Sequence, residues 1–382
     1  MNTLPSSSER LYFIDWVRVF AFGLLILFHC TMSFVDFGWE IKNDERSILL
    51  TRLIWWLHQW RLPLLFFIAG VGSYFSLEKR TSLSFLSERF VRLFIPLWFA
   101  ILFTIPIQVY FERMQRGQID MTYFEFYPTV WNFIPYPEGN LTWSHLWFVT
   151  YLFVFTILLL PIFLILRIKI VEQWKQYLDR IIASPVVVLV LCALLIFYYF
   201  KLYLRWPEQG SLVDDWFVFL FSMTLFFFGY FLASLPSLWQ TCEVYRWYFL
   251  TLAFVCIIWL YIQFWWSLQF PKTQDRSLYT YGVLNSIHIW SIILAILGFA
   301  RKHLNFSNWF LRYTTPAVYP FYILHQTIIV ATGYYVVQWS LPLFAKLLIL
   351  ILICLSSVGV LYHVVIKNFA VTRVLYGLKL KR

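Results

Sequence analysis

Long, continuous apolar runs separated by short polar connections make up most of this chain. Runs such as "FTILLLPIFLIL" and "LLILILICLSSVGVLYHVV" are long and continuous, whereas the strands of a membrane β-barrel alternate apolar and polar residues over about ten positions. A helix needs about 20 mostly apolar residues to cross a bilayer. The pattern predicts ten such helices, at 11–35, 50–77, 90–110, 145–167, 185–204, 215–235, 246–268, 279–300, 316–338 and 342–366.

Composition favours the same class. Hydrophobic residues make up 61% of the 382 positions and charged residues 13%, against about 45–50% and about 25% in soluble domains. We therefore predict an all-α, polytopic membrane bundle in a single domain, 1–382, with its spans between 11 and 366. A short polar N-terminus and a basic C-terminal tail flank this bundle.

The net charge of +11 does not indicate a nucleic-acid partner, because the basic residues lie in short clusters between the apolar segments. Such clusters mark cytoplasmic connections. These basic clusters are denser in the C-terminal tail and in the connections on the same side of the membrane as the N-terminus. We expect both termini in the cytoplasm and a multi-pass protein of the inner (plasma) membrane.

The first predicted span contains an arginine and a histidine, Arg18 and His29, eleven positions apart. Eleven helical residues turn about 1100°, close to three full turns, and rise roughly 16 Å. The two side chains therefore share one face, which we expect to line a protein interior rather than lipid. A histidine there could transfer a proton near neutral pH, although a purely structural pair is an open alternative.

Other polar residues suggest binding roles. Arg89 and Arg92 lie at i and i+3 where the third span meets the cytoplasm, and they could bind phosphates or simply anchor the helix. The aromatic connection 111–144 is long enough to contribute to a binding site. No metal-ligand spacing occurs, so no metal is predicted. The remaining candidates for one shared polar cavity, each with a structural alternative, are His58, Arg61, His145 and His325.

Five short segments, in order, resemble motifs of the membrane acyltransferase family 3. "DWVRVFAFGLLILFH" carries the basic residue, ten positions and histidine of its first helix, as Arg18 and His29. "ERFVRLFIPL" matches its Arg-x-x-Arg element, and "PLLFFIAGVGSYF" matches its second helix, with Ala69 where serine is usual. "HLWFVTYLF" and "YPFYILHQTII" resemble two later segments. "FGWEIKNDERS" and "HQWRLPLLFFIAG" are most similar to the glucan-modifying, succinyl-transferring branch.

The resemblance implies an enzyme that moves an acetyl or succinyl group from a cytoplasmic acyl-CoA to a hydroxyl of an extracytoplasmic carbohydrate or glucan. It implies no bound cofactor, acyl-CoA as co-substrate and contact with membrane lipid. His29 would be the general base, Arg18 would hold polar parts of the donor, and Arg89 and Arg92 would hold its phosphates. No oligomeric state is predicted. The alternatives are a polysaccharide or lipid-linked transporter or flippase, and an inert assembly subunit.

Overall fold

The computed structural model describes residues 10–380, and these residues form helices without any β-strand. The helices are α1 (Tyr12–Thr31), α2 (Ile48–Glu78), α3 (Ser82–Gln115), α4 (Tyr123–Phe126), α5 (Trp147–Ile165), α6 (Lys169–Ile182), α7 (Pro185–Lys201), α8 (Trp216–Ala233), α9 (Pro236–Val244), α10 (Arg246–Trp265), α11 (Arg276–His303), α12 (Trp309–Val336), α13 (Leu343–Ile366) and α14 (Ala370–Leu375).

Within residues 10–380, eight helices are long and apolar enough to cross a membrane, or nine if the bent pair α6 and α7 is one span. Ten were expected. The predicted span 316–338 falls in α12, a helix of 28 residues that also contains Pro316, Pro320, His325 and Gln326, and these lower its hydropathy. The fold class is confirmed, but the apolar spans are fewer than predicted.

Two compact units are distinguishable, and each is assembled from separated stretches of the chain. The first comprises 10–21, 55–85 and 154–315 of the described residues, and the second comprises 22–54, 86–153 and 316–380. Residues distant in sequence therefore pack together inside each unit.

The first unit contains helices that touch backbone to backbone. A Cβ atom at Gly229 of α8 would overlap the carbonyl oxygen of Phe67 in α2, and one at Gly70 would overlap that of Phe226. Only glycine allows two helices to approach so closely. A Cβ at Gly72, one half-turn along α2, would meet nothing within 4 Å.

The second unit contains α3, which is widened twice into π-helical turns. These turns, Phe90–Phe94 and Ala100–Thr104, end two residues before Pro96 and Pro106. A proline lacks an N–H and its ring clashes with the carbonyl four residues earlier, and a π turn accommodates that clash within a continuous helix. Nearby, α1, α12 and α13 share a core of buried apolar residues that includes Ile26, Leu324 and Leu350.

The connection between α1 and α2 is fixed by hydrogen bonds inside the second unit. Lys42 Nζ donates to the carbonyl oxygens of Met32 (2.8 Å) and Val35 (2.7 Å). Lys346 Nζ, in α13, donates to Asn43 Oδ1 at 2.8 Å. The stretch that carries residues 36–41 is thus held on both sides.

Candidate active site

Two histidines predicted separately meet in the second unit. His29, near the end of α1, is 8% exposed, and His325, in the middle of α12, is fully buried. The Nδ1 atom of His29 lies 2.6 Å from Nε2 of His325, and the ring centroids are 4.9 Å apart with an interplanar angle of 12°. The two rings form a direct imidazole–imidazole hydrogen bond.

The surrounding contacts fix which nitrogen carries each proton. His325 Nδ1 lies 2.7 Å from the carbonyl oxygen of Tyr322. A carbonyl oxygen only accepts hydrogen bonds, so this nitrogen is the protonated one. In a neutral ring, His325 Nε2 is then unprotonated and accepts from His29 Nδ1. His29 is therefore the Nδ1–H tautomer, and its lone pair is on Nε2.

His145 completes a group of three imidazoles. It lies in the short 3-10 turn Ser144–Leu146 just before α5, and its Nε2 donates to the same Tyr322 carbonyl oxygen at 3.1 Å. The Tyr322 hydroxyl in turn donates to the His145 carbonyl oxygen. The rings of His145 and His325 meet edge to face, with centroids 5.2 Å apart. One carbonyl oxygen thus orients two histidines.

Gln108 of α3 links His145 to further polar groups. Its Nε2 donates to Thr327 Oγ1 at 2.7 Å and approaches His145 Nδ1 at 3.5 Å. Its Oε1 accepts from Ser144 Oγ at 2.9 Å. Since Nε2 of His145 is protonated, Nδ1 is the acceptor, which agrees with a donor from Gln108. Gln108 was not singled out from the sequence, where its one signal is a polar residue within an apolar segment.

Two residues of the α1–α2 connection also reach this group. The ring of Trp39 stacks on that of His29, with centroids 5.2 Å apart and an angle of 27°. Glu40 Oε1 accepts from Gln326 Nε2 at 2.7 Å. Burial, together with the negative charge of Glu112, raises the pKa of Glu40 to about 7. Neither Trp39 nor Glu40 was singled out from the sequence.

The connection 111–144 is ordered by its own polar contacts. Thr122 and Glu125 form a reciprocal capping box at the start of α4, which satisfies backbone donors at that helix end. Arg113 Nη2 donates to the carbonyl oxygens of Pro137 (3.0 Å) and Gly139 (2.7 Å). The last residue of the connection, Ser144, donates a hydrogen bond to Gln108.

Arg18, the partner predicted for His29, belongs to the first unit. It lies on the same unbroken helix, α1, and its Nη1 is 3.4 Å from Asp15 Oδ1. Asp15 also pairs with Arg10 at 2.8 Å. The role of Arg18 therefore stays a prediction.

Arg89 and Arg92 fall where α3 changes from α to π geometry, in the second unit. Arg92 Nε donates to the carbonyl oxygen of Gly377 at 3.1 Å, and its Nη1 is 3.4 Å from Glu88 Oε1. Lys379 lies 3.8 Å from the same carboxylate. Arg92 thus ties the C-terminal segment to α3, and phosphate binding by this pair stays a prediction.

His58 and Arg61 have partners of their own in the first unit. His58 Nε2 lies 3.0 Å from Glu208 Oε2, and Arg61 is 1% exposed. Partial burial alone would raise the pKa of Glu208, but His58 and Arg61 outweigh it and hold that pKa below its usual value. These residues form an ion-pair group within the first unit, and the expected cavity shared with His145 and His325 stays a prediction.

Comparison with known proteins decides the family. A family model described as an acyltransferase domain, Acyl_transf_3, matches residues 11–365. The chain belongs to the acyltransferase 3 family. It is therefore a multi-pass membrane acyltransferase, an enzyme that transfers groups other than aminoacyl groups.

Curated relatives carry the name "Glucans biosynthesis protein C". The one from Escherichia coli O1:K1 / APEC is 24% identical over 351 residues, which cover 88% of this chain and 86% of the relative. Those from Shigella dysenteriae serotype 1 (29%) and E. coli strain K12 (30%) match over 43% of this chain and 41% of their own length. No solved structure matches this chain.

Among residues 10–380, no group of three or more histidine, cysteine, aspartate or glutamate side chains is arranged to hold a metal ion. The absence of a metal or bound cofactor in the reaction remains a prediction from the sequence. Within the second unit, the imidazole of His29 can accept a proton, and His325 holds it in one tautomer.

Proposed function

We propose that this membrane acyltransferase transfers an acetyl or succinyl group from a cytoplasmic acyl-CoA to a hydroxyl of an extracytoplasmic glucan or related carbohydrate. The observation that carries the proposal is the hydrogen bond between His29 and His325. It leaves His29 Nε2 unprotonated and ready to accept a proton. The acceptor class is supported by the name that the curated relatives carry, and the orientation by the basic connections on the side of the termini.

The reaction balances as a direct acyl transfer. His29 Nε2 takes the proton of the acceptor hydroxyl while that oxygen attacks the thioester carbon. The carbon–sulfur bond breaks, and the sulfur leaves with the proton returned by the His29 imidazolium. The products are an O-acyl ester and free coenzyme A. During the step, His325 Nε2 accepts from His29 Nδ1 and so stabilises the positive charge on the ring.

The donor would be held by cationic side chains. We assign the phosphates of acyl-CoA to Arg89 and Arg92, whose guanidinium groups suit bidentate phosphate contacts. Arg18 would contact the polar part of the donor. No bound cofactor takes part in this scheme.

The test is acyl transfer by purified protein in lipid nanodiscs, with radiolabelled acetyl-CoA or succinyl-CoA and a glucan oligosaccharide. We expect an alkali-labile acyl ester on the oligosaccharide. His29→Gln should lower turnover by about 10²–10⁴-fold, the usual contribution of a general base. His363→Gln, at an exposed histidine of the same unit, is the matched control and should leave turnover unchanged.

Unimpaired transfer by His29→Gln would overturn the assignment of the base. Uptake of a labelled oligosaccharide into proteoliposomes without any acyl-CoA, with no ester formed, would replace the enzyme proposal by a transporter.

A further inference from the structure

Beside the histidines lies a second group of polar residues, the Glu40–Gln326 group, formed by Trp39, Glu40, Ser144 and Gln326. Gln326 Nε2 donates to Glu40 Oε1 at 2.7 Å and to Ser144 Oγ at 3.3 Å. Three of the members are next to the imidazoles in sequence or in space. Gln326 follows His325, Ser144 precedes His145, and Trp39 stacks on His29. Contacts and peptide bonds therefore connect this group to His29 in a closed ring.

Three buried polar atoms of the group have no hydrogen-bond partner among the described residues. They are Oε2 of Glu40, Oε1 of Gln326 and Nε1 of Trp39. Gln326 is only 2% exposed, so its amide oxygen is removed from solvent. Buried polar groups in folded proteins are nearly always paired. Two acceptors and one donor left unmet, next to the proposed base, indicate a ligand that supplies the missing partners.

Whether these atoms donate or accept hydrogen bonds decides the class of ligand. Two of the three accept hydrogen bonds, and one belongs to a carboxyl group, so a phosphate or carboxylate would be repelled. An ionised Glu40 therefore disfavours coenzyme A phosphates and the carboxylate of a succinyl group at this position. Neighbouring hydroxyls of a sugar ring suit it, since two O–H groups can donate to Glu40 and Gln326 while an oxygen accepts from Trp39. The same Trp39 ring also gives an apolar face next to His29.

Glu40 is suited to such a contact for a further reason. Burial and Glu112 raise its pKa to about 7. Near neutral pH its carboxyl therefore changes easily between the ionised form, which only accepts hydrogen bonds, and the protonated form, which both donates and accepts them. Its other oxygen is already fixed by Gln326, so Oε2 has a defined position.

We propose that Glu40, Gln326 and Trp39 bind the acceptor sugar through hydroxyls that neighbour the one to be acylated. This inference rests on the proposed function, because it makes the group a subsite of the same active site. The three are binding residues for the acceptor, and they have no part in holding the acyl donor.

The first experiment separates the two substrates. Glu40→Gln replaces the accepting Oε2 by an amide while keeping its shape. We expect the KM for a glucan oligosaccharide to rise at least tenfold, with the KM for acyl-CoA unchanged and kcat within about threefold of the wild type. Trp39→Phe keeps the ring and removes only the N–H donor, and it should raise the acceptor KM by a smaller factor. Glu45→Gln is the matched control, since Glu45 is an exposed acid of the same connection.

An unchanged acceptor KM in Glu40→Gln would overturn the subsite, and so would an increase confined to the acyl-CoA KM. Thermal unfolding of each variant confirms that it is folded before its kinetics are compared.

The second experiment does not depend on catalysis. Saturation-transfer NMR with wild-type protein in nanodiscs, a glucan oligosaccharide and no acyl-CoA should show contacts to the sugar ring protons, and Glu40→Gln should lose them. If the wild type forms no acyl ester but binds the oligosaccharide through Glu40, the proposed function fails and the subsite stands. If ester forms but wild type and Glu40→Gln bind the sugar equally, the subsite fails and the function stands.

Discussion

Replacing His325 tests whether one histidine positions the other. In His325→Leu, the Nδ1–H of His29 loses its acceptor in a buried place. A hydrogen bond to a charged group contributes about 1.5–3 kcal/mol, and each 1.36 kcal/mol is tenfold in rate. Since the His29 ring is charged only during the reaction, the loss falls on the transition state. We expect kcat to drop about 10- to 150-fold, with both KM values changed little.

His325→Gln provides the rescue. A glutamine Oε1 can occupy the place of His325 Nε2 and accept from His29 Nδ1, which lies only 2.6 Å away. We expect its kcat to remain within about tenfold of the wild type. The assay is the nanodisc transfer reaction at saturating acyl-CoA, with kcat and acceptor KM determined for both variants at equal folded protein. Wild-type kcat in His325→Leu, or equal loss in both variants, would refute the positioning argument.

Three further predictions concern stability, each measured by thermal unfolding in detergent. Gly229→Ala should destabilise the protein by about 1–3 kcal/mol by forcing α2 and α8 apart, whereas Gly72→Ala, with open space around it, should be neutral or stabilising by up to about 1 kcal/mol. Because the pKa of Glu40 rises from 4.5 to about 7, ionising it destabilises the folded protein progressively between those pH values. Relative to wild type, the free energy of unfolding of Glu40→Gln should therefore be higher by up to about 3 kcal/mol at pH 8 and unchanged at pH 4. The pKa of Glu208 is instead lowered by His58, so Glu208→Gln should destabilise the protein at neutral pH, and its difference from wild type should vanish as the pH falls below the folded pKa of Glu208.

The sequence predicted those parts of the site that local pattern can reveal. His29, His145 and His325 stand out because an ionisable group inside an apolar segment is expensive. Their meeting could not be derived, since helical arithmetic relates residues of one helix only. His29 and His325 are 296 positions apart, and no periodicity connects them.

Other features could not be predicted from the sequence, also for physical reasons. Glu40 looked like one more acid of a polar connection, because its hydrogen-bond partner, Gln326, is 286 positions away. Arg89 and Arg92 were taken as neighbours on an ordinary α-helix, but Arg92 lies within the π turn Phe90–Phe94 that precedes Pro96. The span count was too high because the polar residues and prolines of α12 lower its hydropathy.

The bonds of Lys42 and Asn43 have a consequence for how the acceptor would arrive. The connection that carries Trp39 and Glu40 is already immobilised by Met32, Val35 and Lys346. Little backbone entropy is left to be lost when a ligand binds. The free energy of the contacts therefore contributes to binding affinity with little offset from ordering the connection. Acceptor association should then follow a single exponential whose rate rises linearly with sugar concentration, without the plateau that a slow closing loop would impose.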